Sequence, residues 1–201
     1  MRYQHLYEAI TAHLGRRLPE PLIRNLLQRA LADLAERSHL WRARAQITTD
    51  GSMLEYPLPA GCLEPYVLLR EDGTEVERVL RNDTLAWEGL EVWHTTQADD
   101  GSRRIVIGRV SDQKLLPTQS TYTLEYATRG PVLTGDPDQE VDLPEELVSG
   151  VESRVLEPFM AASPELLRFH HARWRDAVAL AQRMRNRLTT ASQLKARLPK
   201  L

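Results

Sequence analysis

The sequence predicts an α+β fold: a helical bundle formed by N- and C-terminal helices, with an antiparallel β module inserted between them. Three observations predict it. Apolar residues recur at spacings of three and four at both ends of the chain. Three Asp-Gly pairs punctuate the middle, where the period becomes strand-like. The helical period then returns near Asp142 and dominates to Leu188.

That C-terminal run reads as two helices, over about 144–161 and 164–187. Asp142 and Glu145 have the form of a capping box, in which an acceptor side chain meets orphan N–H groups and a carboxylate occupies the first turn. Leu147, Val148, Val151, Val155, Phe159 and Met160 form the first stripe, and Pro158 is expected to kink or end it. Ser163-Pro164-Glu165 restarts a helix, with Ser as cap, Pro where no N–H is needed and Glu at the positive end of the dipole. Leu167, His171, Trp174, Val178, Ala181, Met184 and Leu188 form the second stripe, so Trp174 is expected in the core against the 20–40 helix. The two amphipathic helices are expected to pack antiparallel and to need further apolar surface from elsewhere in the chain.

The N-terminus supplies it. Leu6, Ala9, Ile10 and His13 share a face of a short helix over 4–14 that stops at Gly15. Pro19 and Pro21 mark the start of a longer helix over 20–40, with Leu22, Ile23, Leu26, Leu27, Ala30, Leu31 and Leu34 on its apolar face.

Asp50-Gly51, Asp72-Gly73 and Asp100-Gly101 each stand between short strand-like segments, and Asp-Gly suits hairpin turns because glycine takes positive φ without strain. The segments paired in this way are 46–49 with 53–58, 66–70 with 75–80, and 90–95 with 103–108. Residues 121–128 add a last strand with Tyr122, Leu124 and Tyr126 on one side. The resulting organisation is a bundle of 1–44 and 142–188, a β module over 45–130, an acidic loop over 131–141 and a basic tail over 189–201.

Composition bounds the function. The chain of 201 residues is long enough for one core carrying an insertion, and 42% hydrophobic with 27% charged residues is ordinary for a globular protein. A net charge of −2 argues against a general nucleic-acid binder. No apolar run approaches the ~20 residues a bilayer span needs, and the polar, periodic start does not resemble a signal peptide. Cys62 stands alone, which excludes an internal disulfide and a cysteine-based zinc cluster and fits a cytoplasmic protein.

The chemistry of known enzyme motifs is absent: no GxSxG, P-loop, GxGxxG or HExxH. His170 and His171 point about 100° apart on a helix and do not chelate together, so His171 is read as a packed or capped ring. Asp99-Asp100 belongs to a turn and Glu145-Glu146 to a helix N-terminus rather than to catalytic carboxylate pairs. Trp41, Trp87, Trp93 and Trp174 form no motif and are assigned to core or interface anchoring. No cofactor or metal is expected. The tail after Leu188 shows no cap or long stripe and reads either as a solvated face or as a segment extended until a partner orders it.

Taken in order, LYEAITAHL, then LIRNLLQRALADLAERSHLWRARAQITTDGSMLEYPLP, then hairpins, TYTLEYATRGPV and the 142–181 helices resemble the adaptor, or head-to-tail connector, proteins of tailed bacteriophages. The resemblance covers about residues 6–185. It rests on a helix ending near a tryptophan, Tyr56-Pro57-Leu58-Pro59, a β insertion, a Leu143-Pro144 helix start and a long helix carrying His170 and Trp174. The segment 84–95 falls outside the pattern. The resemblance implies a structural virion protein without catalysis, assembled in the host cytoplasm. In such proteins a ring, commonly of twelve subunits, docks under the portal, extends the DNA channel and offers a platform to downstream neck or tail proteins. DNA passes through the lumen without specific binding, and no membrane is involved. The bundle is then expected to form the ring wall and the β module to project outward or toward the next component.

The resemblance also implies that the tail reaches the portal, through Leu194, Lys195, Arg197, Leu198, Lys200 and Leu201. A ring requires a heterologous interface. The acidic side of it is assigned to Asp138, Glu140, Glu145 and Glu146, and the basic side to Arg173, Arg175, Arg183, Arg185 and Arg187. Competing readings are another neck component, such as a head-closure or tail-terminator protein, and a ligand-binding module that uses Trp87 and Trp93.

Overall fold

A computed structural model describes residues 1–79 and 87–197, with side chains described as far as Arg187. Over the described residues the chain is α+β, with four helices and a curled mixed sheet. It forms two compact units, one of Met1–Trp41 with Arg129–Leu201, the other of Arg42–Thr128.

The first unit holds α1 (Tyr3–Leu14), α2 (Glu20–Ser38), α3 (Glu145–Leu156) and α4 (Pro164–Arg197). Glycine ends α1 as expected, with Gly15 at φ 62°. Two residues before the expected end, α2 stops at Ser38 because His39 takes the left-handed conformation at φ 52°, a role the sequence hides when the residue is not glycine. The capping box at Asp142 does not form. Pro144 occupies the cap position of α3 without a side-chain cap bond, and Asp142 instead gives its backbone carbonyl to the Trp41 indole. Pro158 ends α3 as expected, in a 3₁₀ turn at Glu157–Phe159.

Ile23, Leu27, Leu31 and Leu34 of α2, Leu147, Val151 and Val155 of α3, and Trp174, Ala177 and Ala181 of α4 are buried. The stripe on α4 is turned by about one residue from the expected one. His170 is buried, whereas His171 is exposed beside Glu157 at 3.6 Å. Arg154 ties three elements together: it bonds Asp33 of α2 at 3.0 Å, reaches Glu157, and lies 5.7 Å over the Trp174 ring. The correction with most consequence concerns the tail. Helix α4 does not stop near Arg187 but continues through Arg197, so the expected extended tail is helical over its described part. No glycine or proline interrupts the sequence between Pro164 and Pro199, and Ala, Gln, Leu, Lys and Arg in that stretch favour helix.

The loop between the units' second junction and α3 is held by side chains in place of secondary structure. Gln28 donates to Pro131 O and accepts from Leu133 N; Gln139 donates to Val132 O and accepts from Thr134 N. Tyr3 N donates to Gln139 O and Val141 N donates to Met1 O, which binds the loop to the start of α1.

The second unit is an eight-stranded sheet in the order β1-β8-β3-β4-β5-β6-β2, with β7 also on β6. Its strands are β1 (Arg42–Asp50), β2 (Glu55–Pro57), β3 (Cys62–Arg70), β4 (Glu75–Arg78), β5 (Glu91–Gln97), β6 (Arg103–Ser111), β7 (Lys114–Leu116) and β8 (Gln119–Thr128). The expected purely antiparallel module is corrected at one place: β4 and β5 are parallel. A parallel neighbour needs a crossover of about a dozen residues, and the chain between Arg78 and Glu91 supplies one without an Asp-Gly pair. Leu80, expected at the end of β4, lies outside the described residues.

Two of the three Asp-Gly pairs make hairpins, β3–β4 closed by Arg70 N to Thr74 O and β5–β6 closed by Ala98 N to Ser102 O. Asp50-Gly51 does not, because β1 pairs with β8 and β2 pairs with β6. The local turn is the same in all three: the Asp carboxylate accepts from the N–H and hydroxyl two residues on, at Ser52, Thr74 and Ser102. The turn chemistry was therefore legible, but the pairing was not. Since β1 and β2 are the two ends of the sheet order and only four residues lie between Asp50 and Glu55, these ends lie within ~18 Å and the sheet must curl. Ile47, Tyr56, Leu68, Trp93, Ile105, Tyr122, Leu124 and Tyr126 fill the curl.

Ion pairs link strands that are not neighbours. Glu64 of β3 meets Arg103 of β6 at 3.4 Å, and Glu91 of β5 meets Arg70 of β3 at 2.8 Å; Glu91 also pairs with Arg109, its ladder partner on the adjacent β6, at 3.2 Å. Burial raises the Glu91 carboxyl, but the two guanidiniums outweigh it and hold the group below the ordinary carboxylate range.

Helices α3 and α4 touch most closely at Gly150, where an added Cβ would stand 2.1 Å from the Ala177 Cβ. Gly150→Ala should therefore lower stability by ~1–3 kcal/mol through overpacking, although an alanine in an open helix position would raise it. Chemical denaturation of the variant against wild type measures the sign.

Candidate assembly surfaces

Arg154 over Trp174 and Gly150 against Ala177 run in opposite sequence directions, so α3 and α4 are antiparallel. The first turn of α3, with Glu145 and Glu146 exposed, thus lies at the end of the pair from which α4 continues. Beyond Ala177, α4 runs on for about 30 Å at ~1.5 Å per residue, whereas α3 extends only ~8 Å past Gly150. The basic residues Arg183, Arg185 and Arg187 begin this overhang, followed by Lys195 and Arg197. The side chains of Leu194, Lys195 and Arg197 lie outside those described, and Leu198, Lys200 and Leu201 lie outside the described residues altogether.

The acidic and basic residues assigned to a subunit interface are not brought together within the chain. Asp138 is bonded to Arg2 at 3.2 Å. Glu140 is exposed and bridges Arg2 through the backbone. Arg173 is half-buried and stacks 5.4 Å over Phe169; Arg185 bonds the neighbouring Asn186. Arg175, Arg183 and Arg187 are exposed. Among the described residues no ion pair joins Glu140, Glu145 or Glu146 to Arg175, Arg183 or Arg187. Charges already spent on folding are elsewhere, in the Asp33–Arg154–Glu157 network and in the sheet.

Exposed apolar side chains were not legible as surface features. Val132 on the loop is 72% exposed, and Phe169 and Leu166 on α4 are 52% and 48% exposed. The signal for the latter pair is their place outside the His170, Trp174, Ala177, Ala181 stripe.

Among the described residues the β unit presents neither Trp93 nor Trp87 as an open aromatic site. Trp93 is 1% exposed, donates to Val76 O at 3.0 Å and lies under Arg78 at 5.0 Å, so it is committed to the core. Trp87 packs against the Val79, Val92 and Val110 cluster. Segment 84–86 lies outside the described residues. A shallow depression lined by Glu55, Thr96, Gln97, Asp100 and Arg104 is polar and holds no tryptophan. Among the described residues no three His, Cys, Asp or Glu side chains are grouped to hold a metal, and no helix is long and apolar enough to cross a membrane. Burial raises the Cys62 thiol.

His170 makes the helical unit sensitive to acid. Burial, helped by the nearby Arg173 charge, lowers its pKa below the ordinary 6.5. A histidine depressed in the folded state contributes stability above its unfolded value, which is lost as pH falls through the folded value. Wild type should thus lose melting temperature between about pH 7 and pH 5 more steeply than His170→Gln, whose side chain does not titrate; parallel thermal scans across that range check it.

The family model described as "SU10 adaptor protein" matches residues 1–197. No curated protein matches the sequence.

Proposed function

The chain belongs to the SU10 adaptor protein family of phage structural proteins that join head to tail, and from that premise we propose that it docks as a ring on the portal. The helical bundle is the wall of that ring, whose twelve subunits match a twelvefold portal. The ring extends the DNA channel, DNA passes without specific binding, and the β unit is the surface offered to the next neck or tail protein.

The observation that carries this reading is the family match over 1–197, and the basic overhang of α4 gives it a physical form. A helix that continues past α3 carries Arg183, Arg187, Lys195 and Arg197 in its sequence with no acidic residue after Asp176, which suits an acidic partner. The overhang replaces the extended tail as the docking element. Leu194, Leu198 and Leu201 supply its apolar contacts, and Lys195, Arg197 and Lys200 its charge. DNA is a weaker partner for the same charges, since three cations per subunit give only salt-sensitive, non-specific attraction.

Between subunits, Asp138, Glu140, Glu145 and Glu146 face Arg173, Arg175, Arg183, Arg185 and Arg187 of the neighbour. Exposed pairs are worth only ~0–1 kcal/mol each, so their contribution is register and orientation. Assembly on the portal should weaken as salt rises and the Debye length falls below ~8 Å; ring yield across a salt series reads this directly.

Deleting residues 189–201 tests the docking element. The truncated chain should keep its melting temperature within a few degrees while losing portal attachment in a pull-down. Attachment at wild-type affinity would move the docking surface onto the bundle.

A further inference from the structure

We propose that Asp50-Gly51 is a site of spontaneous covalent modification, converting through a cyclic imide to isoaspartate, while the fold holds Asp72-Gly73 and Asp100-Gly101 against the same reaction. The inference is independent of the assembly reading.

The reaction needs no partner but water. The glycine amide nitrogen attacks the Asp side-chain carbonyl carbon and gives up its proton as the C–N bond forms, and the carboxyl oxygen leaves as water. A water molecule then opens the imide. Attack at the former backbone carbonyl routes the main chain through the side chain, as isoaspartate; attack at the other carbonyl restores Asp. Glycine favours ring closure because no Cβ crowds its nitrogen or restricts its backbone.

In the unfolded chain the three pairs are nearly equivalent, each being Asp-Gly followed by Ser or Thr. In the folded chain all six residues are exposed, so access of water does not separate them. Nor do the carboxylates. Each accepts from the N–H and hydroxyl two residues on, and these bonds hold all three below the ordinary carboxylate range.

The attacking nitrogen is what differs. Gly73 N donates to Arg70 O and Gly101 N donates to Ala98 O, both at 2.9 Å. Each of these turns is closed again across its hairpin, by Arg70 N to Thr74 O and by Ala98 N to Ser102 O, at 2.8 Å. Side chains clamp them further: Arg70 donates to Thr74 Oγ1 at 3.1 Å, and Gln97 donates to Gly101 O at 3.2 Å. An amide held in this way must break its bond, and its turn must open, before the nitrogen reaches the carboxyl. Asp50-Gly51 closes no hairpin, and among the described residues Gly51 N donates to no backbone carbonyl. Its turn rests on the Asp50–Ser52 bonds alone. Conversion there adds a methylene to the main chain inside the short link that joins the two ends of the sheet order.

Ageing the purified full chain in mildly acidic buffer, which supplies the more reactive protonated carboxyl, tests this by peptide mapping with electron-transfer fragmentation. Isoaspartate should accumulate at Asp50 several-fold faster than at Asp72 or Asp100. The same chain aged in denaturant should convert at all three pairs at similar rates, and native Asp50→Glu should lose most of the wild-type isoaspartate. Native Asp72 or Asp100 converting as fast as Asp50 overturns the proposal. So does a native Asp50 that stays intact while the denatured chain converts, or the native order of rates persisting unchanged in denaturant.

Discussion

The structure depends on one tryptophan at the point where the chain leaves the helices. Trp41 is the last residue of the N-terminal piece of its unit, and Gly130 is the second residue of the returning piece. A Cβ on Gly130 would stand 2.7 Å from the indole ring, so only glycine permits this approach, and its φ of 81° is one that other residues rarely adopt. The indole N–H donates to Asp142 O at 2.7 Å, just before α3 begins. One side chain thereby fixes the outgoing chain, the returning chain and the start of α3. Strands β1 and β8, which begin and end the inserted unit, pair along their whole lengths from Arg42↔Ala127 to Asp50↔Gln119. An insertion that opens and closes on one paired ladder adds little loop-closure entropy to the host.

Within each unit, polar side chains do what regular pairing does not reach. In the helical unit the loop after Gly130 has almost no ladder, and Gln28 and Gln139 satisfy its backbone instead. In the sheet, Glu64 and Glu91 bridge strands that are not neighbours in the order, which opposes flattening of the curl. These carboxylates are partly shielded from water, where a hydrogen-bonded ion pair holds geometry better than a fully exposed one.

The elements that were legible in the sequence are those set by local chemistry. Gly15 stops α1, Pro158 stops α3, Pro164 opens α4, and the Asp-Gly-Ser/Thr turns form as read. What escaped was decided by distant partners or by residues in unusual roles. His39 takes a left-handed cap that glycine usually takes, and Asp112 and Gln113 make the β6–β7 turn with φ of 49° and 63° and no glycine at all. The partners of β1 and β2 depend on which edge of the sheet each reaches, and no turn signal encodes that. The one-residue rotation of α4 that buries His170 in place of His171 follows from the approach of Ala177 to Gly150, a contact 27 residues away in sequence (177 − 150). At the candidate surfaces, the excess of charge was readable, but exposure of Val132, Leu166 and Phe169 was not, since apolar residues are assigned inward by default.

The distribution of charge separates folding from assembly. Asp33, Arg154 and Glu157 are joined across α2, α3 and the turn that follows it, and Glu64 and Glu91 are each held by two arginines. Removing one partner of such a group leaves a shielded charge without compensation, so these residues are tied to stability. Glu145, Glu146, Arg175, Arg183 and Arg187 carry no such tie among the described residues, and all are exposed. A surface charge without a partner is cheap to keep in water and adds little to the fold. It also leaves the fold free of any cost when a neighbour takes it up. The same holds for the overhang of α4, which continues past the last residues of α3 that it packs against. A protein built this way can change its contacts with neighbours without disturbing the core that presents them.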